Sequence, residues 1–120
     1  MGDNDGKNMN EISLAIERFN NGDYESSIET IMRYSQEGNE LAEGSLGLAY
    51  QFGFGVQRDI HKALDLLQSA ANKGYGCAAH NLGTLYLEPS VLNPEKSQYW
   101  YKKAQSLGFI VTQDEWYKDD

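Results

Sequence analysis

Only one cysteine, Cys77, occurs in the 120 residues, so no internal disulfide can form. Prolines number two, and β-branched runs are few, which argues against a strand-rich chain and favours helix. Basic side chains are scarce: 10 Lys and Arg stand against 18 Asp and Glu, a net charge of −8. That balance disfavours nucleic acid or an anionic membrane as partner, because phosphates would be repelled. Long apolar runs are missing too. Gly, Asn and Gln interrupt the uncharged stretches, leaving no signal-like or membrane-spanning segment. The opening Met-Gly has Gly6 where a myristoylation signal needs Ser or Thr. A cytoplasmic chain is the expectation. What is present is enough for a core: 40% hydrophobic and 12% aromatic residues, at a length suited to one domain.

Recognisable chemical motifs fail on context. Gly53-Phe54-Gly55 could open a phosphate cradle, but Arg58 stands where a dinucleotide fingerprint needs its third glycine, and the preceding "GLAYQ" reads as helix. "DNDG" at positions 3–6 resembles a calcium loop, yet Ile12 falls where the bidentate Glu belongs. Gly44-Ser45-Leu46-Gly47 is not the Gly-x-Ser-x-Gly of a nucleophile elbow. His61 and His80 sit on different helices with no carboxylate at helical spacing that would make a metal site. Nothing basic adjoins Cys77 to lower its pKa. A hydrolase-like groove built on His80 and Cys77 is the competing enzymatic reading, and it requires both to converge with a third polar group. The expectation is no catalysis, no cofactor and no structural metal.

Self-comparison is more informative. Gly38, Ala42, Leu46-Gly47 and Tyr50 recur 36 residues later as Gly74, Ala78, Leu82-Gly83 and Tyr86. Beyond them the offset falls to 34, pairing Asp59 with Asn93, Lys62 with Lys96, Ala70 with Ala104 and Gly74 with Gly108. One two-residue deletion in a loop accounts for the change. Each copy reads as helix–loop–helix. Asp59 and Asn93 are N-caps of second helices, with Pro94 at a first helical position. Gly38, Gly74 and Gly108 follow second helices, where a left-handed residue is needed. Leu64, Leu67 and Ala71 space as a buried stripe. Gly47 and Gly83 lie inside first helices, at ~1 kcal/mol against alanine, which makes sense if a neighbouring helix passes close by.

The N-terminal third looks like a shortened unit. Met9, Ile12, Ile16 and Phe19 share one helical face, Asp23 is the next N-cap, and Ile28, Ile31 and Met32 line the following helix. After Gly108, "TQDEW" has the capping-box form (Thr112, Glu115), with Trp116 placed to cover the end of the stack. The organisation expected is a flexible acidic N-terminus at 1–8 and a repeat domain at 9–108. The repeat domain divides into a degenerate hairpin at 9–37 and repeats at 38–73 and 74–108. A cap and tail follow at 109–120.

The pattern A..NLG.LY..G.GV..D..KA......A...G resembles the Sel1-like repeat family, relatives of tetratricopeptide repeats. The match is fullest over Leu46, Gly47, Tyr50, Gly53, Gly55, Val56, Asp59, Lys62, Ala63, Ala70, Ala71 and Gly74. The second copy replaces the two loop glycines with "LEPSVL". The resemblance implies an all-α, right-handed α/α superhelix of about three helical hairpins with a short C-terminal capping helix. It also implies a protein-binding adaptor, regulator or inhibitor. A cysteine-rich branch of the family, linked to β-lactam binding, carries a disulfide in each repeat, and this chain has no cysteine pair.

In that family the first helices line the concave face. Carried over, the lining positions are Leu41, Gly44, Leu48, Gln51 and Phe52 in one repeat and Cys77, His80, Thr84 and Leu87 in the next, with Glu40, Glu43 and Glu88 at the rim. Charge is uneven as well. Residues 1–45 hold ten acids against three bases, residues 46–108 four against six, and residues 109–120 four against one. An apolar strip with acidic edges suits a partner protein with an apolar anchor and basic flanks. The functional expectation is a monomer that binds a basic protein and neutralises or regulates it, as an immunity-type inhibitor does a toxin or effector. The alternative is an adaptor or regulatory subunit in a signalling or assembly complex.

Overall fold

The computed structural model describes residues 3–110, with side chains from residue 11 onward. It is helical throughout this range: α1 (Asp3–Asn20), α2 (Tyr24–Gln36), α3 (Glu40–Phe52), α4 (Ile60–Asn72), α5 (Gly76–Leu85) and α6 (Pro94–Ser106), with one 3-10 turn at Pro89–Val91. The helices pair as α1–α2, α3–α4 and α5–α6. Successive hairpins meet through α2 on α3 and α4 on α5, and the first helices also touch, α1 on α3 and α3 on α5. This is an α/α superhelix of three hairpins. Among the described residues no helix is long and apolar enough to cross a membrane.

Helix ends follow the punctuation. Asp59 accepts from the Lys62 N–H at 3.1 Å and Asn93 from the Lys96 N–H at 3.0 Å, each satisfying a donor with no partner inside its helix. Gly38, Gly74 and Gly108 have φ of 86°, 96° and 88°, a region that residues with a Cβ rarely adopt. One expectation needs correction. Asp23 stands at the N-cap of α2 but makes no side-chain cap; instead the buried Ser27 hydroxyl donates to its carbonyl at 2.8 Å. Helix α1 begins at Asp3, ahead of the boundary at residue 9 expected for the first hairpin. The proposed cap residues Thr112, Glu115 and Trp116 lie outside the described residues.

Two apolar clusters form the core. One gathers Ile12, Ala15, Phe19, Ile31, Ala42, Leu46 and Ala49; the other centres on Leu67, Leu82, Leu85, Trp100 and the surrounding alanines. Half-buried Tyr50 packs against both and joins them. Ile31, Leu67 and Leu82 are fully buried, each stabilising by ~1.5–3 kcal/mol through area removed from water. The helical glycines mark the close approaches. A Cβ on Gly47 would lie 2.8 Å from Leu67 Cγ, and one on Gly83 would lie 2.7 Å from the Tyr101 ring and 3.0 Å from the Ser97 carbonyl oxygen.

Candidate functional site

The first helices of the two repeats differ sharply in what they leave exposed. Along α3, Leu41 is 36% and Phe52 53% exposed, and just past the end of α5 Leu87 is 49% exposed. Phe52 and Leu87 therefore stand at the same end of adjacent first helices, with Leu41 at the other end of α3. Glu40 is exposed at the start of α3 and has no ion-pair partner among the described residues. Thr84 is exposed and shares a 2.8 Å hydrogen bond with the Tyr101 hydroxyl.

The other expected lining residues are committed to the fold. Glu43, placed at the rim by the sequence, is buried; one oxygen pairs with Lys73 Nζ at 2.9 Å and the other accepts from the Ser69 hydroxyl at 2.9 Å. Lys73 also donates to the Gly38 carbonyl at 2.8 Å, so this lysine ties the loop after α2 to α3 and α4. A buried carboxylate requires such partners, because desolvation disfavours it otherwise. Gly44 is buried beneath Tyr75, whose ring would lie 2.6 Å from an added Cβ. Leu48 packs against the N-terminal cluster. Gln51 is buried at 8% exposure, and its Oε1 has no hydrogen-bond partner among the described residues. Glu88 is paired with Arg58 at 3.1 Å, and the same guanidinium donates to the Gln51 carbonyl at 2.9 Å. Of the three rim acids, only Glu40 is free to meet a partner.

Cys77 and His80 are likewise engaged elsewhere. The Cys77 sulfur accepts from Asn81 Nδ2 at 3.7 Å, and burial pushes its thiol up, the wrong direction for a nucleophile at neutral pH. Burial also raises the neighbouring Tyr75 hydroxyl to about 12, helped by the charge that Cys77 would carry. The His80 ring lies 5.1 Å from both Tyr101 and Phe109, and burial lowers its pKa. No hydrogen bond joins His80 to Cys77 among the described residues, and no group of three metal-ligating side chains gathers among them.

Several residues were missed by pattern reading. Phe54, in the loop after α3, stacks on Tyr24 at 4.8 Å and meets Phe19 at 6.3 Å, tying the first repeat to the N-terminal hairpin. The aromatic between two loop glycines was the available signal. Lys73 and Arg58 carried none, because their partners lie 30 residues away in each case (Glu43 and Glu88).

Comparison with known proteins agrees with this geometry. The family model for the Sel1 repeat matches residues 41–75 and 78–109. An uncharacterized protein of Neisseria meningitidis serogroup B is 30% identical over 82 residues, which is 68% of this chain but 17% of that protein. The crystal structure of a Sel1 repeat protein from Oxalobacter formigenes superposes with a TM-score of 0.71 at 26% identity, covering 80% of this chain and 39% of that one. The chain thus spans well under half the length of these relatives. Sel1 repeats generally mediate protein–protein interaction, and their fold is typically a non-enzymatic module. By its repeat pattern, its hairpin stack and these matches, the chain belongs to the Sel1 repeat family.

Proposed function

We propose that this chain binds a basic partner protein through the exposed strip of its first helices, and neutralises or regulates that partner in the manner of an immunity-type inhibitor. The observation that carries the reading is the exposure of Leu41, Phe52 and Leu87 on a chain of net charge −8. The exposed Phe52 ring is of the aromatic type enriched at interfaces, and the two leucines add apolar area that a partner can bury. The acidic side chains Glu17, Glu25, Glu29, Glu37 and Glu40 are also exposed, mostly on the N-terminal hairpin. Such a field speeds encounter with a positive surface and disfavours wrong partners.

The test is the salt dependence of association with a partner recovered from the native cell. Association slows steeply with added salt, and reversing Glu37 and Glu40 to Lys slows it further. Glu43 is unsuitable for this purpose, since its reversal would break the Lys73 pair inside the fold. Equal rates at low and high salt would remove the basic-partner reading. Growth rescue by co-expression with the partner separates an inhibitor of a toxin from an adaptor whose partner is harmless.

A further inference from the structure

A cleft of about 420 Å³ opens between α2 and α4 with α3 as its floor, away from the strip described above. Its apolar wall is Met32, Leu46 and Leu66, and its polar wall holds Ser35, Glu43, Tyr50 and Asp65, with Lys62 at the edge. Ser35 is 9% exposed and lines the cleft. Ser27, fully buried on the same helix, donates instead to the Asp23 carbonyl. The Ser35 hydroxyl therefore faces the cleft as a polar group available to a ligand.

Repeat register shows that this polar set is not required by the architecture. The positions equivalent to Ser35, Glu43 and Asp65 one repeat later are Ala71, Ala79 and Tyr99. By contrast, the cation over the ring is common to both repeats: Lys62 Nζ lies 5.2 Å from the Tyr50 centroid, and Lys96 Nζ lies 5.5 Å from the Tyr86 centroid. The ring face therefore already accepts a cation, and the first repeat alone surrounds it with acceptors.

We infer that the cleft between α2 and α4 is a second binding site, which takes an arginine side chain. A guanidinium carries five N–H donors and no acceptor, and it stacks on aromatic faces. The Tyr50 ring, the Ser35 and Tyr50 hydroxyls, the Asp65 carboxylate and the remaining lone pairs of Glu43 complement it. Met32, Leu46 and Leu66 complement its aliphatic stem. An anionic ligand meets two carboxylates and is rejected. Lys62 yields its place readily, being exposed and without an ion pair among the described residues. The site stands independently of the first-helix strip.

The probe is N-acetyl-arginine amide, titrated into the isotope-labelled full chain by NMR, with the norleucine and glutamate amides in parallel. The expected result is saturable shifts at Ser35, Tyr50 and Asp65, with arginine bound at least about tenfold more tightly than norleucine. Asp65→Asn, at an exposed position, weakens arginine binding and leaves the norleucine response unchanged; Ser35→Ala does the same if it folds. Equal affinity for arginine and norleucine, shifts confined to Leu41, Phe52 and Leu87, or no saturable shift at all would each overturn the inference.

Discussion

The two repeats keep the same helix-end chemistry and differ in the loop between. Asp59 follows Tyr50 by nine positions and Asn93 follows Tyr86 by seven. Both nevertheless donate their backbone N–H to the tyrosine carbonyl at 2.8 Å, and both cap the following helix. In the first repeat the longer loop carries Phe54 back onto Phe19 and Tyr24. The second repeat replaces it with a 3-10 turn at Pro89–Val91 that buries nothing. The hairpin is therefore specified at its joints, and the loop is free to make lateral connections. The same division holds for charge: Glu43 and Lys73 form a joint, whereas Glu40 is surface.

Substitutions at the joints have the largest effects. Leu67→Ala, in the helix interface that Gly47 allows, loses ~2–5 kcal/mol, measured by urea unfolding. Gly83→Leu and Gly47→Leu each lose ~1–3 kcal/mol or more, because backbone stands behind the side-chain obstacle at both, the Ser97 carbonyl oxygen at Gly83 and the Leu67 nitrogen at Gly47. A small loss in either variant would break that parallel between the repeats. Phe54→Ala removes aromatic pairs worth ~0.5–1.5 kcal/mol each; hydrogen exchange should quicken in α1 and α2 and remain unchanged in α6. Asp59→Ala and Asn93→Ala should cost the same, ~1 kcal/mol, despite their different loops.

The smallest effect concerns pH. His80 has a folded pKa below its ordinary 6.5 because of burial. The unfolded chain therefore binds a proton first, and stability declines as pH falls from about 6.5 through the folded value. His80→Gln should flatten that decline in thermal melts. An unchanged profile would mean the imidazole is as solvated as in the unfolded chain.

The fold was legible because it repeats. Gly38, Gly74 and Gly108, the caps Asp59 and Asn93, and the helical glycines all announce themselves by spacing, and the structure gives each the role the spacing implies. Surface and core along the first helices were legible only in part. Of the carried-over lining positions Leu41, Phe52 and Leu87 are exposed, but the carry-over cannot tell a rim acid from a buried one. Glu40 and Glu43 are three residues apart on one helix; the second is buried only because Ser69 and Lys73 reach it from α4 and its end. Tyr50 and Tyr86 are half-buried joints, so their truncation costs less than that of a core aromatic. Such distinctions depend on contacts 26 and 30 residues away, which periodicity does not encode.

The most direct test of the account is the affinity of a recovered partner for the Phe52→Asp, Leu87→Asp double variant, compared with the parent chain at equal folded fraction. Both side chains are exposed, so the fold should survive. The account predicts a loss of about a hundredfold or more, and unchanged affinity would show that the partner binds elsewhere on the molecule.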